Sequence, residues 1–198
     1  MTDVFGRFLE RADFLLNALE SRLNLIAGLI VFALMFLGVI QIVLRTVFRA
    51  PIFGYIDIVE VAMVGFAVLA ISYVQRVGGH VRMELLVAKL RGRAHWLAET
   101  LSTMLGIFIV GVLIPYSYYH FQRAFNIGDS TIDIEIVTWP PKLIVPLALS
   151  VLMIRMWIQL GGYIRLSLNP ALEPVAVPLL KDVEEIAEEE IRQAAEEA

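Results

Sequence analysis

The chain has 198 residues, 59% of them hydrophobic and only 18% charged, with a mean hydropathy of +0.75 and a formal net charge of −4. That is too apolar for a water-soluble domain of this length. The negative charge comes from eight acidic residues among the last seventeen, without which the chain is mildly basic, and the absence of cysteine excludes disulfides, thiolate metal sites and thiol catalysis.

Residues 1–22 are not long enough in apolar character to cross a bilayer. Phe5, Phe8, Leu9, Ala12, Leu15, Leu16, Leu19 and Leu23 recur at helical spacing, with Arg7, Glu10, Arg11, Asp13, Asn17 and Glu20 on the other side. The pattern predicts an amphipathic helix lying in the membrane interface, with packing on a protein partner as the alternative. Leu23–Leu44 follows, 22 residues without a charge. A bilayer core of about 30 Å needs roughly 20 apolar residues in a helix, so this is a first span. It is too long for a signal-peptide core and ends at Leu44-Arg45 rather than at small residues.

The second span is shorter in apolar content. Val61–Gln75 holds 15 uncharged residues, and a span over 57–75 must take in Asp57 and Glu60. It is required because an odd number of spans would put two basic stretches on opposite sides. The 76–95 loop breaks at Gly78-Gly79 and then carries Met83, Leu86, Val87 and Leu90 on one face of a short helix ended by Gly92. Its five basic residues against Glu84 suit anionic lipid headgroups. A third span, 97–120, has the uncharged stretch Thr100–Tyr119, with Pro115 expected to bend it near its outer end. Trp139-Pro140-Pro141-Lys142 opens a fourth span, 141–164. The prolines suit a first helical turn, and the tryptophan suits the interface belt that Tyr55, Tyr116, Tyr118 and Tyr119 also mark. Beyond residue 168, Pro170, Pro174 and Pro178 form a stiff linker to an acidic, solvated tail running to residue 198.

Orientation follows from the basic residues near the spans. Arg7, Arg11, Arg22, Arg76, Arg82, Lys89, Arg91, Arg93 and Arg165 make nine on one side, against Arg45, Arg49, Arg123 and Lys142 on the other. Both termini and the 76–95 loop are therefore expected in the cytoplasm. The fold class expected is an all-α integral membrane protein: four transmembrane helices plus an N-terminal amphipathic interfacial helix.

The residues offer no chemistry of catalysis. His80 and His95 belong to the inner loop and His120 to the opposite side, so they cannot converge on a haem or metal, and no cofactor is expected. No nucleophilic triad, phosphate-binding glycine loop or nucleic-acid patch is visible, so the chain is not read as an enzyme. Charges within spans are the sharper signal, because they are costly and are usually paired or functional. Glu60 sits about one turn into span two, near Asp57, Arg45 and Arg49. Arg155 lies 13 residues beyond Lys142, about 20 Å down the helix, and Glu99 at the same end of span three is its expected partner. Secondary transporters generally carry repeats and broken helices around a mid-membrane site. This chain shows neither, which points to an accessory or scaffold subunit.

Three stretches carry a resemblance. Leu44-Arg45-Thr46-Val47-Phe48-Arg49-Ala50-Pro51 with Asp57-Ile58-Val59-Glu60, then Val74-Gln75-Arg76-Val77-Gly78-Gly79-His80-Val81-Arg82-Met83-Glu84, and finally Ser130 with Trp139-Pro140-Pro141-Lys142, occur in order across residues 20–168. Together they resemble the small permease subunit (DctQ-like) of tripartite ATP-independent periplasmic (TRAP) transporters. The resemblance implies a bacterial inner-membrane subunit that pairs with a large permease. A periplasmic binding protein supplies an organic anion, often a carboxylate, and an ion gradient, usually sodium, drives uptake. It makes Arg45, Arg49, Asp57, Glu60, His80, Arg82, Glu84, Glu99, Trp139 and Arg155 candidate structural or interface residues. A redox-enzyme anchor and a self-contained small channel or exporter stay open as alternatives.

Overall fold

A computed structural model of the protein describes residues 2–78, 93–168 and 176–177. The short loop helix around Met83–Leu90, the residues His80, Arg82 and Glu84, and nearly all of the linker and acidic tail lie outside the described residues. The elements run α1 (Thr2–Val43), a π-helical turn (Leu44–Phe48), α2 (Tyr55–Leu69), α3 (Ile71–Arg76), α4 (Arg93–Ile127) and α5 (Trp139–Leu168). Four of the helical stretches are long and apolar enough to cross a membrane, α2 and α3 together making the second. The protein is thus an all-α membrane protein.

Each helix end has a local cause. The π-helical turn closes α1 at Arg49, which adopts φ 52° and returns its N–H to the Leu44 carbonyl. Gly54 enters α2 at φ 72°, a backbone conformation that costs glycine nothing and other residues strain. Span two breaks at Ala70, between α2 and α3. Gly128, at φ 71°, ends α4 by donating to the Ala124 carbonyl at 3.1 Å. Pro140 and Pro141 occupy the first turn of α5, where a missing N–H leaves no bond unmade.

The helices do not form an evenly closed bundle. Helix α5 is central and packs on α1, α2, α3 and α4, whereas α4 packs chiefly on α5. The most apolar stretch of α5 is 44% buried, against 6%, 17% and 11% for the first three spans, so the molecule presents most of its apolar surface outward. The tightest seam joins Leu149, Leu152, Met156 and Leu160 of α5 to Ile107 of α4, with Val110 and Ile114 alongside. Gly106 leaves the space that the Met156 methyl group fills, 2.3 Å from where a Cβ would stand.

One boundary differs from expectation. Residues 1–22, expected as an amphipathic interfacial helix, are continuous with the first span, since α1 runs unbroken from Thr2 to Val43. Its buried side is Gly6, Leu9, Leu16, Glu20 and Ala27, while Phe14, Leu15 and Leu19 are exposed. The segment packs antiparallel against the C-terminal half of α5, and half of its polar side is turned into the protein. The physical reason is a charge on α5.

Candidate functional site: a buried ion network and a latched loop

Arg155 is only 1% exposed and lies on the side of α5 that faces α1 and α3. It stands 16 residues from Trp139, or about 24 Å along the helix. It therefore falls toward the edge far from Trp139 of an apolar core about 30 Å thick. A lone arginine there costs about 2.5–3.5 kcal/mol on insertion scales, and α1 supplies the compensation. The Arg155 Nε donates to Glu20 Oε1 at 2.8 Å and Nη2 to Glu20 Oε2 at 2.6 Å. Nη2 also donates to Asn17 Oδ1 at 2.9 Å, and Nη1 pairs with Asp13. Asp13, Asn17 and Glu20 are spaced i, i+4, i+7, which is one face of a helix.

The expected partner was Glu99, and this is corrected. Glu99 is buried on α4, but the partners of Arg155 among the described residues are Glu20, Asp13 and Asn17 of α1. The reason is the helical register of α5. Arg155 and Gln159 point one way, while Leu149, Met156 and Leu160 turn to α4 and fill that seam with apolar side chains.

The network extends to span two just past its break at Ala70. Ser72 Oγ donates to Glu20 Oε1 at 2.6 Å, and Gln75 Nε2 donates to Gln159 Oε1 at 2.8 Å. Gln159 Nε2 in turn donates to the Gln75 carbonyl at 3.2 Å. Arg76 Nη1 reaches Asn17 Oδ1 at 2.9 Å and lies 3.8 Å from Glu20. Two arginines thus face two carboxylates across three elements, with no net charge. Sequence reasoning named Arg155 alone. The polar heptad spacing of Asp13, Asn17 and Glu20, with Arg155 and Gln159 one turn apart, was the available signal.

At the opposite end of the spans a second carboxylate is buried. Asp57, 4% exposed in the first turn of α2, accepts from the backbone N–H of Asp133 at 3.1 Å and Ile134 at 2.9 Å. The loop 128–138 is internally tied by Thr131, whose N–H donates to the Ile136 carbonyl and whose Oγ1 accepts the Ile136 N–H, each at 2.9 Å. Lys142 pairs with Asp129, holding that carboxyl below its usual value of 3.8 first by a hydrogen bond and then by charge. Gly54 lies beneath Ile134 so closely that a Cβ would stand 2.4 Å from its side chain.

The other outer candidates surround this latch. Glu60 is exposed and, with Asp57, lines a groove of about 470 Å³ under the loop. Arg45, in the π-helical turn, and Arg49 are exposed, and Arg45 lines a neighbouring groove of about 450 Å³ with Gln41, Tyr55 and Asp133. Trp139 packs on Phe125 and Phe121 of α4, with ring centroids 5.6 and 6.3 Å away. Among the described residues no group of acidic and histidine side chains is placed to hold a metal ion.

A comparison with curated proteins finds no match to this chain. The family model described as "Tripartite ATP-independent periplasmic transporters, DctQ component" matches residues 34–165, from the last quarter of α1 to near the end of α5. With 132 of 198 residues in that match, the chain belongs to the DctQ family and is a small membrane subunit of a TRAP transporter rather than an enzyme.

Proposed function

We propose that this subunit is the stationary scaffold of an importer of organic anions, most simply carboxylates. A large permease carries the substrate and cation sites, and a periplasmic binding protein delivers the substrate. An ion gradient, usually of sodium, drives uptake. One observation supports the scaffold reading above the others: the buried cation Arg155 is engaged within the protein by Glu20 and Asp13, while three of the four spans leave most of their apolar surface uncovered. A path for an anion needs polar groups left available to a substrate, whereas a scaffold needs an apolar exterior for lipid and a partner.

In this reading the subunit lies in the bacterial inner membrane with both termini cytoplasmic. The 128–138 loop, latched by Asp57 and flanked by Arg45, Arg49 and Glu60, faces the periplasm as part of the docking surface for the binding protein. His80, Arg82 and Glu84 belong to a cytoplasmic loop at the inner lipid surface. Reconstitution tests the assignment. Liposomes with this chain alone are expected to take up nothing, and uptake is expected once the large permease and binding protein are present. Sodium-linked uptake by this chain alone would overturn it. Cysteines at Gly128 and Arg91 test the orientation in intact cells, where an impermeant thiol reagent is expected to label position 128 and not 91.

A further inference from the structure

The ion network determines which side of α1 looks away from the protein. Asp13, Asn17 and Glu20 point at Arg155 and Arg76. The opposite side of the same stretch carries Arg11, Phe14, Leu15, Leu19 and Arg22. Phe14 is 74% exposed, Leu15 71% and Leu19 44%, and both arginines are exposed. At 100° and 1.5 Å per residue, Arg11 and Arg22 lie within about 20° of each other and about 16 Å apart along the axis, with the apolar side chains between them. Of the three acids between residues 6 and 22, Asp13 and Glu20 are in the network, and Glu10 lies about 100° round from Arg11.

Depth gives this surface its meaning. Glu20 is level with Arg155, near the inner edge of the apolar core, and Arg22 is one step to the core side of it. Arg11 lies nine residues beyond Glu20, about 14 Å further out. The headgroup layer therefore passes between the two arginines. An arginine below that layer and one above it can both extend to phosphate while their stems follow the apolar side chains.

We propose that this outward side of α1 binds the headgroups of anionic phospholipids in the surrounding leaflet. Arg11 and Arg22 take the phosphates from either side, and Phe14, Leu15 and Leu19 lie among the glycerol groups and upper acyl chains. Lipid fits this surface better than protein. Among the described residues the two arginines have no exposed carboxylate nearby but Glu10, so they call for anionic partners, which the leaflet supplies in number. The proposal stands apart from the transport reaction, since it rests on the rotation of α1 and the depth of its two arginines.

The test places a photo-reactive p-benzoylphenylalanine at Phe14 of the full chain, in nanodiscs of three parts phosphatidylcholine to one of phosphatidylglycerol. Mass spectrometry then reads which lipid is cross-linked in the folded, monodisperse fraction. Phosphatidylglycerol adducts are expected to exceed their mole fraction by at least about threefold. Enrichment is expected to vanish in Arg11→Gln/Arg22→Gln and to persist in Arg11→Lys/Arg22→Lys, because phosphate is recognised here by charge. Adducts in proportion to mole fraction with the arginines intact would overturn the proposal. So would enrichment that survives the glutamine variant. The same label in membranes holding the complete transporter is expected to capture lipid, and capture of a permease peptide instead would assign this face to the partner.

Discussion

Glu20 and Asp57 are both buried carboxylates, one near each end of the spans, and they hold the protein together by different means. Glu20 neutralises a cation on another helix, so its role is to make a charged side chain tolerable in an apolar layer. Asp57 faces no cation in its contacts with the outer loop; it accepts backbone N–H groups of Asp133 and Ile134 and so gives a short irregular segment a fixed shape. The first kind of contact ties three elements to one another and is felt by the whole fold. The second is local. A buried ion pair broken on one side leaves an uncompensated charge, whereas a lost capping acceptor leaves amides that water can still reach near the surface.

The largest expected effect follows from that difference. Glu20→Ala leaves Arg155 with Asp13 and Asn17 only, and is expected to destabilise the full chain by about 3–5 kcal/mol. Thermal unfolding of the detergent-purified protein measures it. Replacing both members, in Glu20→Met/Arg155→Met, is expected to recover most of the loss, because no charge is then buried. A double variant as unstable as Glu20→Ala would mean that hydrogen bonding through Ser72, and not charge, dominates the site.

Asp57→Ala is expected to cost about 1–3 kcal/mol, and locally. Amide exchange at Asp133 and Ile134 should speed up while α4 and α5 keep their protection. Exchange accelerated throughout the spans would show that the latch is as global as the ion network, and would erase the comparison. Gly54→Ala attacks the same loop by another route, through strain at φ 72° and contact with Ile134, and is expected to cost about 1–2 kcal/mol. Since both changes release one segment, the double variant should lose less than the sum of the singles.

The smallest effect concerns Asp129. Lys142 holds its folded-state carboxyl below 3.8, so the contribution is present above that value and is lost as pH falls through the lower folded-state one. The melting-temperature difference between the unmodified chain and Asp129→Asn is therefore expected to be constant near neutrality and to close in acid below about pH 4. A difference that does not close in acid would show that the pair with Lys142 is not its source.

Much of the fold was legible because bilayer thickness converts directly into sequence length. Leu23–Leu44 and Thr100–Tyr119 announce themselves as spans, and the prolines beside Trp139 mark where α5 begins. Asp57 and Arg155 stood out because charges near or within apolar runs are rare. Their partners did not stand out. Asp13, Asn17 and Glu20 lie in a stretch rich in charge, where a polar face reads as water-facing, and the family match begins only at residue 34, beyond all three. The Asp57 latch was illegible for another reason: the loop meets it through the main-chain amides of Asp133 and Ile134, which every residue but proline possesses, and through a Thr131 side chain far off in sequence.

The sequence by itself determined that the protein crosses the membrane four times, where most of the crossings lie and which transporter family it belongs to, because hydrophobic length and ordered motifs are properties of the chain. Only the tertiary structure decided that α1 is one helix rather than two elements, that Arg155 is met by α1 and not by Glu99, and that Phe14 and Leu15 look outward. Those facts depend on which side of α5 each neighbour occupies. A hydropathy pattern says that a helix has two faces, and the position of a single buried guanidinium decides which of them turns inward.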